Sequence, residues 1–338
     1  MHKPYFPAQS SILCSQALLE RVVSRYPLES PLECHLFNTH LNHVYLVRSG
    51  TSTYYLRIPL YDWRTRQDIE EEIHLLNYLQ DNGVSTARPV KDKDGHCIQP
   101  LHAPEGIRFA VLFTNAGGKP CDISDKKQNY RFGEIIGRIH RLTDKMNKKY
   151  NKFHLDLDYL LEKPVERMCR FLPHKKYLTY YLKEIKENLE REVERLPKTT
   201  PGYGICHGDL HMRNIHFDRH LNPTIFDFDC FGYGWRGYEI GSYLYNLIHT
   251  PKAAANRVNW RKAFDEFLTG YDGENVLTHE EFNTIKIFAV IRHIWAIGLN
   301  FLLHKHNGIK VIMEGKFVDE NIGKIKNYTK EIDFFRRL

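Results

Sequence analysis

The sequence predicts an α+β protein in two lobes, the first an antiparallel sheet with one main helix, the second mostly helical. Residues 32–38, 43–49 and 53–59 concentrate or alternate β-formers, as strands half-buried in a sheet do. From Asn129 onward, apolar residues recur at helical spacing, and the only strand-like interruption is the pair 214–217 and 223–226. Lobes of residues 1–114 and 115–338 follow.

Each element has a local reason. The stretch Ser49-Gly50-Thr51-Ser52 is a turn between the second and third strands. In QDIEEEIHLLNYLQDNG, Ile69, Ile73, Leu76 and Leu79 share a helix face, and Gly83 stands just beyond it, where a left-handed cap is wanted. A strand pair near 96–99 and 107–114 precedes the loop NAGGKP. Beyond it, Phe132, Ile135, Ile136, Ile139 and Leu142 mark one amphipathic helix, and Leu178, Leu182, Ile185, Leu189, Val193 and Leu196 mark another. The segment 280–304 is apolar on most sides, as a buried helix is.

Composition excludes several classes. With 42% hydrophobic and 26% charged residues the chain is a folded one. No apolar run is expected to approach the length and hydropathy of a membrane span, and the N-terminus lacks the regions of a signal peptide, so a cytoplasmic location is expected. Seven scattered cysteines without metal or redox spacing read as reduced thiols. The net charge of +7 favours anionic ligands such as nucleotide phosphates. The basic residues are interspersed with acids, as on a solvated helix face, and no nucleic-acid partner is expected. Asn327-Tyr328-Thr329 matches a glycosylation sequon but, without a secretory signal, is assigned no function.

The chemistry lies in HGDLHMRNIHFD at 207–218 and PTIFDFDCFGYG at 223–234. Phosphoryl transfer needs a carboxylate to orient and deprotonate the attacking hydroxyl, and oxygen ligands to hold Mg2+ on the nucleotide phosphates. Asp209 suits the first role. Asn214 follows at the spacing of the protein-kinase H-R-D-L-x-x-x-N loop, and Asp227 stands where the D-F-G aspartate would, so both suit the metal. An isolated HGD arises by chance and lone aspartates are often caps or turns, but this ordered set is harder to obtain by accident. A zinc reading of Cys206, His207 and His211 lacks both the H-E-x-x-H glutamate and any C-x-x-C pair.

With HGD for HRD and DFD for DFG, the chain resembles the aminoglycoside and choline kinase-like phosphotransferases, whose signature is H-G-D-x-H-x-x-N followed by a hydrophobic strand and I-D-F/W. The resemblance implies a two-lobed protein-kinase-like fold and an ATP- or GTP-dependent, Mg2+-dependent kinase. Its acceptor would be the hydroxyl of a small aminoglycoside-, choline- or amino-alcohol-like molecule. It places Arg57 on the nucleotide phosphates with Glu72 as partner, Glu70 and Glu71 being close alternatives, and runs the strand of Phe113 beside the adenine. The glycine-free turn 37–45 offers Asn38, Thr39 and Asn42 as phosphate donors.

His207 and His211 are expected to hold the loop, Asp229 to point away from Asp227 along a strand, and Glu239 to cap the next helix. Tyr238, Tyr243, Arg292, His293 and Trp295 are candidate walls of the acceptor site. Two other readings share these residues. DCFGYGWRGYE resembles the D-D-x-G-x-G-x-x-x-Y-D stretch of bacterial stress-response protein Ser/Thr kinases, and an inactive nucleotide-binding module would keep the same fold.

Overall fold

The computed structural model describes residues 6–151, 154–251, 258–304 and 316–335. The chain forms two compact units, Met1–Gly117 with Thr224–Phe226, and Gly118–Pro223 with Asp227–Leu338.

The first unit is a five-stranded antiparallel sheet in the order β1-β2-β3-β5-β4, with β1 Leu32–Thr39, β2 Asn42–Ser49, β3 Ser52–Pro59, β4 Ile98–Ala103 and β5 Gly106–Thr114. Gly50, at φ 54°, makes the tight turn between β2 and β3. Alternation along the strands divides their side chains between two faces. Tyr45, Val47, Leu56, Ile58, Ala110 and Leu112 pack with Leu18 of α1 (Ser15–Arg21). Arg57, Val111 and Phe113 alternate with them, and Arg57 pairs with Glu72 of α2 (Arg66–Asp81). A capping box between Thr65 and Asp68 starts α2, and Gly83 follows it at φ 75°. Its buried stripe is Ile69, Leu75, Leu76 and Leu79; Ile73 is only half-buried. β5 lies within a residue of its expected bounds, whereas β4 starts later than expected and runs on past Pro100 to Ala103.

The second unit is built from α3 (Lys126–Asp144), α4 (Lys163–Phe171), α5 (Lys176–Val193), α6 (Arg236–Ile248), α7 (Trp260–Asp272), α8 (His279–Leu302) and α9 (Lys316–Phe335). Glycines let α3 and α7 touch backbone to backbone: a Cβ on Gly133 would lie 1.8 Å from the Phe267 carbonyl oxygen, and one on Gly270 2.0 Å from that of Tyr130. The apolar faces of α4, α5 and α8 share one core, including Met168, Leu182, Phe288, Ile291 and Ile294.

Two expectations fail here. Besides β9 (Ile215–Phe217) and β10 (Pro223–Ile225), the chain makes β6 (Lys119–Pro120), β7 (His154–Leu155), β8 (Tyr203–Cys206) and β11 (Gly232–Trp235). β8 and β11 pair antiparallel. They escape a pattern search because each is four residues long and carries glycine. Second, α8 is long and apolar enough to cross a membrane, but most of it is buried within the fold.

Candidate active site

The loop that leaves β8 is held by its own side chains and backbone. Gly208 has φ +84°, and a Cβ there would lie 2.0 Å from the Cys230 carbonyl oxygen. Only glycine meets both conditions. Gly208→Ala is therefore expected to shift the loop and lower stability, by about 1–3 kcal/mol for a residue forced into such a region. Thermal denaturation together with activity checks it, and a variant with wild-type values for both contradicts it.

Asp209 donates its N–H to His207 Nδ1 at 3.3 Å. Asn214 Nδ2 donates to the Asp209 carbonyl oxygen at 3.0 Å, so the backbone of Asp209 is gripped at both ends. His211 Nδ1 accepts from the Arg213 N–H at 3.1 Å, and the Asn214 N–H closes a turn on the His211 carbonyl oxygen at 3.0 Å. Both histidines thus bind the backbone of the loop that carries them. Burial pushes His211 down, against the opposing charge of Asp209.

The Asp209 side chain meets a group that the motif does not contain. Arg292 Nη2, from α8, donates to Asp209 Oδ1 at 2.5 Å. Burial alone would push the Asp209 carboxyl up; the charge of Arg292, with those of His211 and His207, outweighs it and holds the carboxyl below its ordinary value. The Arg292 guanidinium lies over the Trp295 ring, 4.4 Å from its centroid.

Asp227 is exposed and left-handed, at φ 64° and ψ 56°. The chain has left the strand by this point: residues Phe228–Cys230 form a 3-10 turn, so strand alternation does not govern Asp229, which is buried within that turn. The turn packs on the HGD loop, with the His207 and Phe228 rings 4.4 Å apart.

Glu239 does not cap its own helix, whose N-cap is Trp235. It is fully buried in the first turns of α6 and accepts the Gly208 N–H at 3.2 Å, bracing the HGD loop. Burial raises its pKa, opposed by the charge of His207 and the Gly208 N–H. Arg236 beside it is also buried and pairs with Asp144 at 2.7 Å.

Cys206 lies in this network, where ligand atoms of His140, Cys206 and Glu239 lie within 4.8 Å of one another. His140 Nδ1 is bonded to the Tyr271 hydroxyl at 2.8 Å, and the Cys206 thiol points at the Trp235 carbonyl oxygen at 3.6 Å. Burial raises the Cys206 pKa well above its ordinary value, as in a neutral thiol packed in a core.

Of the candidate wall residues, Tyr243 is core instead: it is fully buried and stacks on Phe267 at 4.3 Å and edge-on to Phe132 at 5.0 Å. Tyr238 is fully buried in α6. His293 faces Asn321 at 3.1 Å and packs on Tyr245 and His249; burial pushes it down to about 4, so it is neutral near pH 7. Arg292 and Trp295 form the stacked pair beside Asp209.

In the first unit, Arg57 Nη1 and Nη2 bond Glu72 Oε1 and Oε2 at 2.9 and 2.5 Å, a two-pronged ion pair in which both side chains are buried. Glu70 instead pairs with exposed Arg66 at 2.8 Å, and Glu71 accepts from Gln67 at 3.3 Å. The Arg57 guanidinium rests 4.7 Å over the Phe113 ring, which backs the cation from below. Asn42 opens β2, with its carbonyl oxygen accepting the His40 N–H at 3.1 Å, and Asn38 and Thr39 are exposed at the end of β1. Glu72→Gln leaves the Arg57 charge buried without its counterion; a loss of about 3–5 kcal/mol is expected for such a broken pair. Urea unfolding measures it, and an unchanged midpoint contradicts it.

Fold and motif together define a protein-kinase-like phosphotransferase fold. The model of the "Phosphotransferase enzyme family" matches residues 37–275, more than half of the chain. The chain belongs to that family. An uncharacterized protein of Synechocystis is 32% identical over 296 residues, 87% of this chain and 80% of that one. An amicoumacin kinase of Bacillus subtilis is 28% identical over 281 residues, 81% of this chain and 80% of that one. Among solved structures, an amicoumacin kinase in complex with AMP-PNP, Ca2+ and Ami superposes with a TM-score of 0.73 at 22% identity, covering 94% of this chain and 92% of that one.

Proposed function

We propose that this chain is a kinase that moves the γ-phosphate of ATP or GTP to a hydroxyl of a small molecule, with Asp209 as the base. The observation that carries the reading is the single hydrogen-bonded loop that fixes Asp209 and Asn214 and packs on the turn following Asp227. Asn214 spends its amide nitrogen on the Asp209 carbonyl oxygen, leaving its amide oxygen for a cation. With the exposed Asp227 carboxylate it makes a set of hard oxygen donors that suits Mg2+. The metal would supply charge neutralisation at the nucleotide phosphates. Arg57, held by Glu72 and backed by Phe113, would bind those phosphates, with Asn42 donating from the first strand turn. A cytoplasmic location belongs to this reading, because the seven cysteines are scattered without metal or redox spacing.

A small acceptor is favoured over a polypeptide because β11 starts at Gly232 and α6 at Arg236, leaving little chain after Asp227 for the segment on which protein kinases dock peptides. Relatives named for small-molecule acceptors, the amicoumacin kinases among them, point the same way. The test is ADP release with Mg-ATP across aminoglycosides, choline-like alcohols, amino alcohols and peptides. Stimulation by small alcohols or aminosugars is expected. Stimulation by peptides alone, with none from small molecules, overturns the reading in favour of a protein kinase.

A further inference from the structure

Resting on that reading, we propose that Arg292 is the positioning residue of the phosphotransfer base, fixing one carboxylate oxygen of Asp209 so that the other is presented to the acceptor hydroxyl. Arg292 lies 83 residues beyond Asp209 in sequence, on a different element, and belongs to no part of the loop motif.

The backbone of Asp209 is gripped through its N–H by His207 and through its carbonyl oxygen by Asn214. What those bonds leave free is rotation about the side-chain torsions, and the bond from Arg292 Nη2 to Oδ1 at 2.5 Å removes it. The clamp is itself immobilised. The Arg292 side chain is only 7% exposed, whereas that of Asp209 keeps 26%, so the pair is closed on the arginine side and open on the carboxylate side. Trp295 supports the guanidinium plane 4.4 Å from its centre, an arrangement that a planar cation fits and an ammonium does not.

The remaining oxygen, Oδ2, is 3.7 Å from His211 Nε2, beyond hydrogen-bond length, and is therefore the oxygen to receive a hydroxyl. In the transfer, the acceptor oxygen forms its bond to the γ-phosphorus, the bond from that phosphorus to the β,γ-bridging oxygen breaks, and the hydroxyl proton goes to Asp209 Oδ2. Arg292 acts through Asp209, and its contribution is the angle at which Oδ2 meets the hydroxyl. Buried ion pairs add little net stability, and a carboxylate held to within a fraction of an ångström is where one repays its desolvation, since misplacement of about 1 Å costs roughly 100-fold in rate.

The experiment compares wild type, Arg292→Lys and Arg292→Ala for kcat, acceptor KM, Mg-nucleotide Kd and melting temperature, with and without millimolar guanidinium or methylammonium. The expected result for Arg292→Ala is a fall in kcat of roughly 10- to 100-fold, an unchanged nucleotide Kd, and partial recovery with guanidinium but not methylammonium, because the vacated site keeps the Trp295 face and the Asp209 oxygen. Arg292→Lys, which folds around a cation of similar reach, is expected to stay below wild type in kcat. Two results overturn the role: kcat in either variant within two-fold of wild type, or a loss that tracks melting temperature and ignores guanidinium. A wild-type chain with no turnover on any acceptor overturns the parent reading and this role together, whereas loss or retention confined to the variants bears on Arg292 alone.

Discussion

Asp209→Ala is expected to lower kcat by about 10²–10⁴-fold, the range for a general base, while the affinity for Mg-nucleotide stays within a few-fold of wild type. The asymmetry follows from position. The carboxylate is committed to Arg292 through one oxygen and open through the other, and its proposed work is on the acceptor hydroxyl rather than on the phosphates. Removing it also leaves the Arg292 charge in a buried pocket, so some loss of stability accompanies the loss of rate. Asp209→Asn separates the two effects, because the amide keeps the shape and a hydrogen-bond acceptor for Arg292 but cannot take a proton. Titration of nucleotide against both variants is the check. Nucleotide affinity that collapses in parallel with kcat would mark Asp209 as a structural aspartate.

The second large effect belongs to Asp227→Asn. Asn is chosen over Ala because residue 227 is left-handed at φ 64°, a conformation that asparagine tolerates and alanine does not. The change therefore removes charge with little added backbone strain. Loss of a metal carboxylate removes several kcal/mol of charge stabilisation in the transition state, which corresponds to roughly 10³-fold in turnover. Unlike the change at Asp209, it should weaken nucleotide binding in Mg2+ and flatten the dependence of binding on Mg2+. Calorimetric titration with Mg2+ and with EDTA reads this directly, and a variant with the wild-type metal dependence contradicts the assignment.

Which parts of this protein were legible in its sequence follows from how local each signal is. The strands β1, β2 and β3 and the helix α2 announce themselves because β-formers alternate, as in β2, or concentrate, as in β1 and β3, over eight-residue runs, and helical spacing runs through α2, with Gly50 and Gly83 at the turns. β8 and β11 do not, since four residues with glycine among them carry no period and gain their stability from pairing with each other. Asp209 and Asn214 are tied to each other by bonds spanning five residues, which a motif can encode.

Arg292 is different. Its partner is 83 residues away, and it lies in a helix so apolar on every side that no face stands out. A buried charge in such a helix is the signal that was present, and it identifies the residue without identifying the partner. Glu239 was visible as a carboxylate near a helix start, where capping is the default expectation; that it reaches instead to the Gly208 N–H depends on the packing of α6 under the loop. Tyr243 illustrates the converse error, an aromatic residue close in sequence to the motif that is core once α3 and α7 close around it.

The destination of the γ-phosphate tests the central claim most directly. The chain is incubated with γ-labelled ATP, Mg2+ and a cell extract separated into low-mass and protein fractions, with Asp209→Asn run alongside. The account predicts that label appears as an acid-stable phosphomonoester on a low-mass compound with the wild-type chain and is nearly absent with the variant. Label found only on protein, only as inorganic phosphate, or equally with both chains would contradict it.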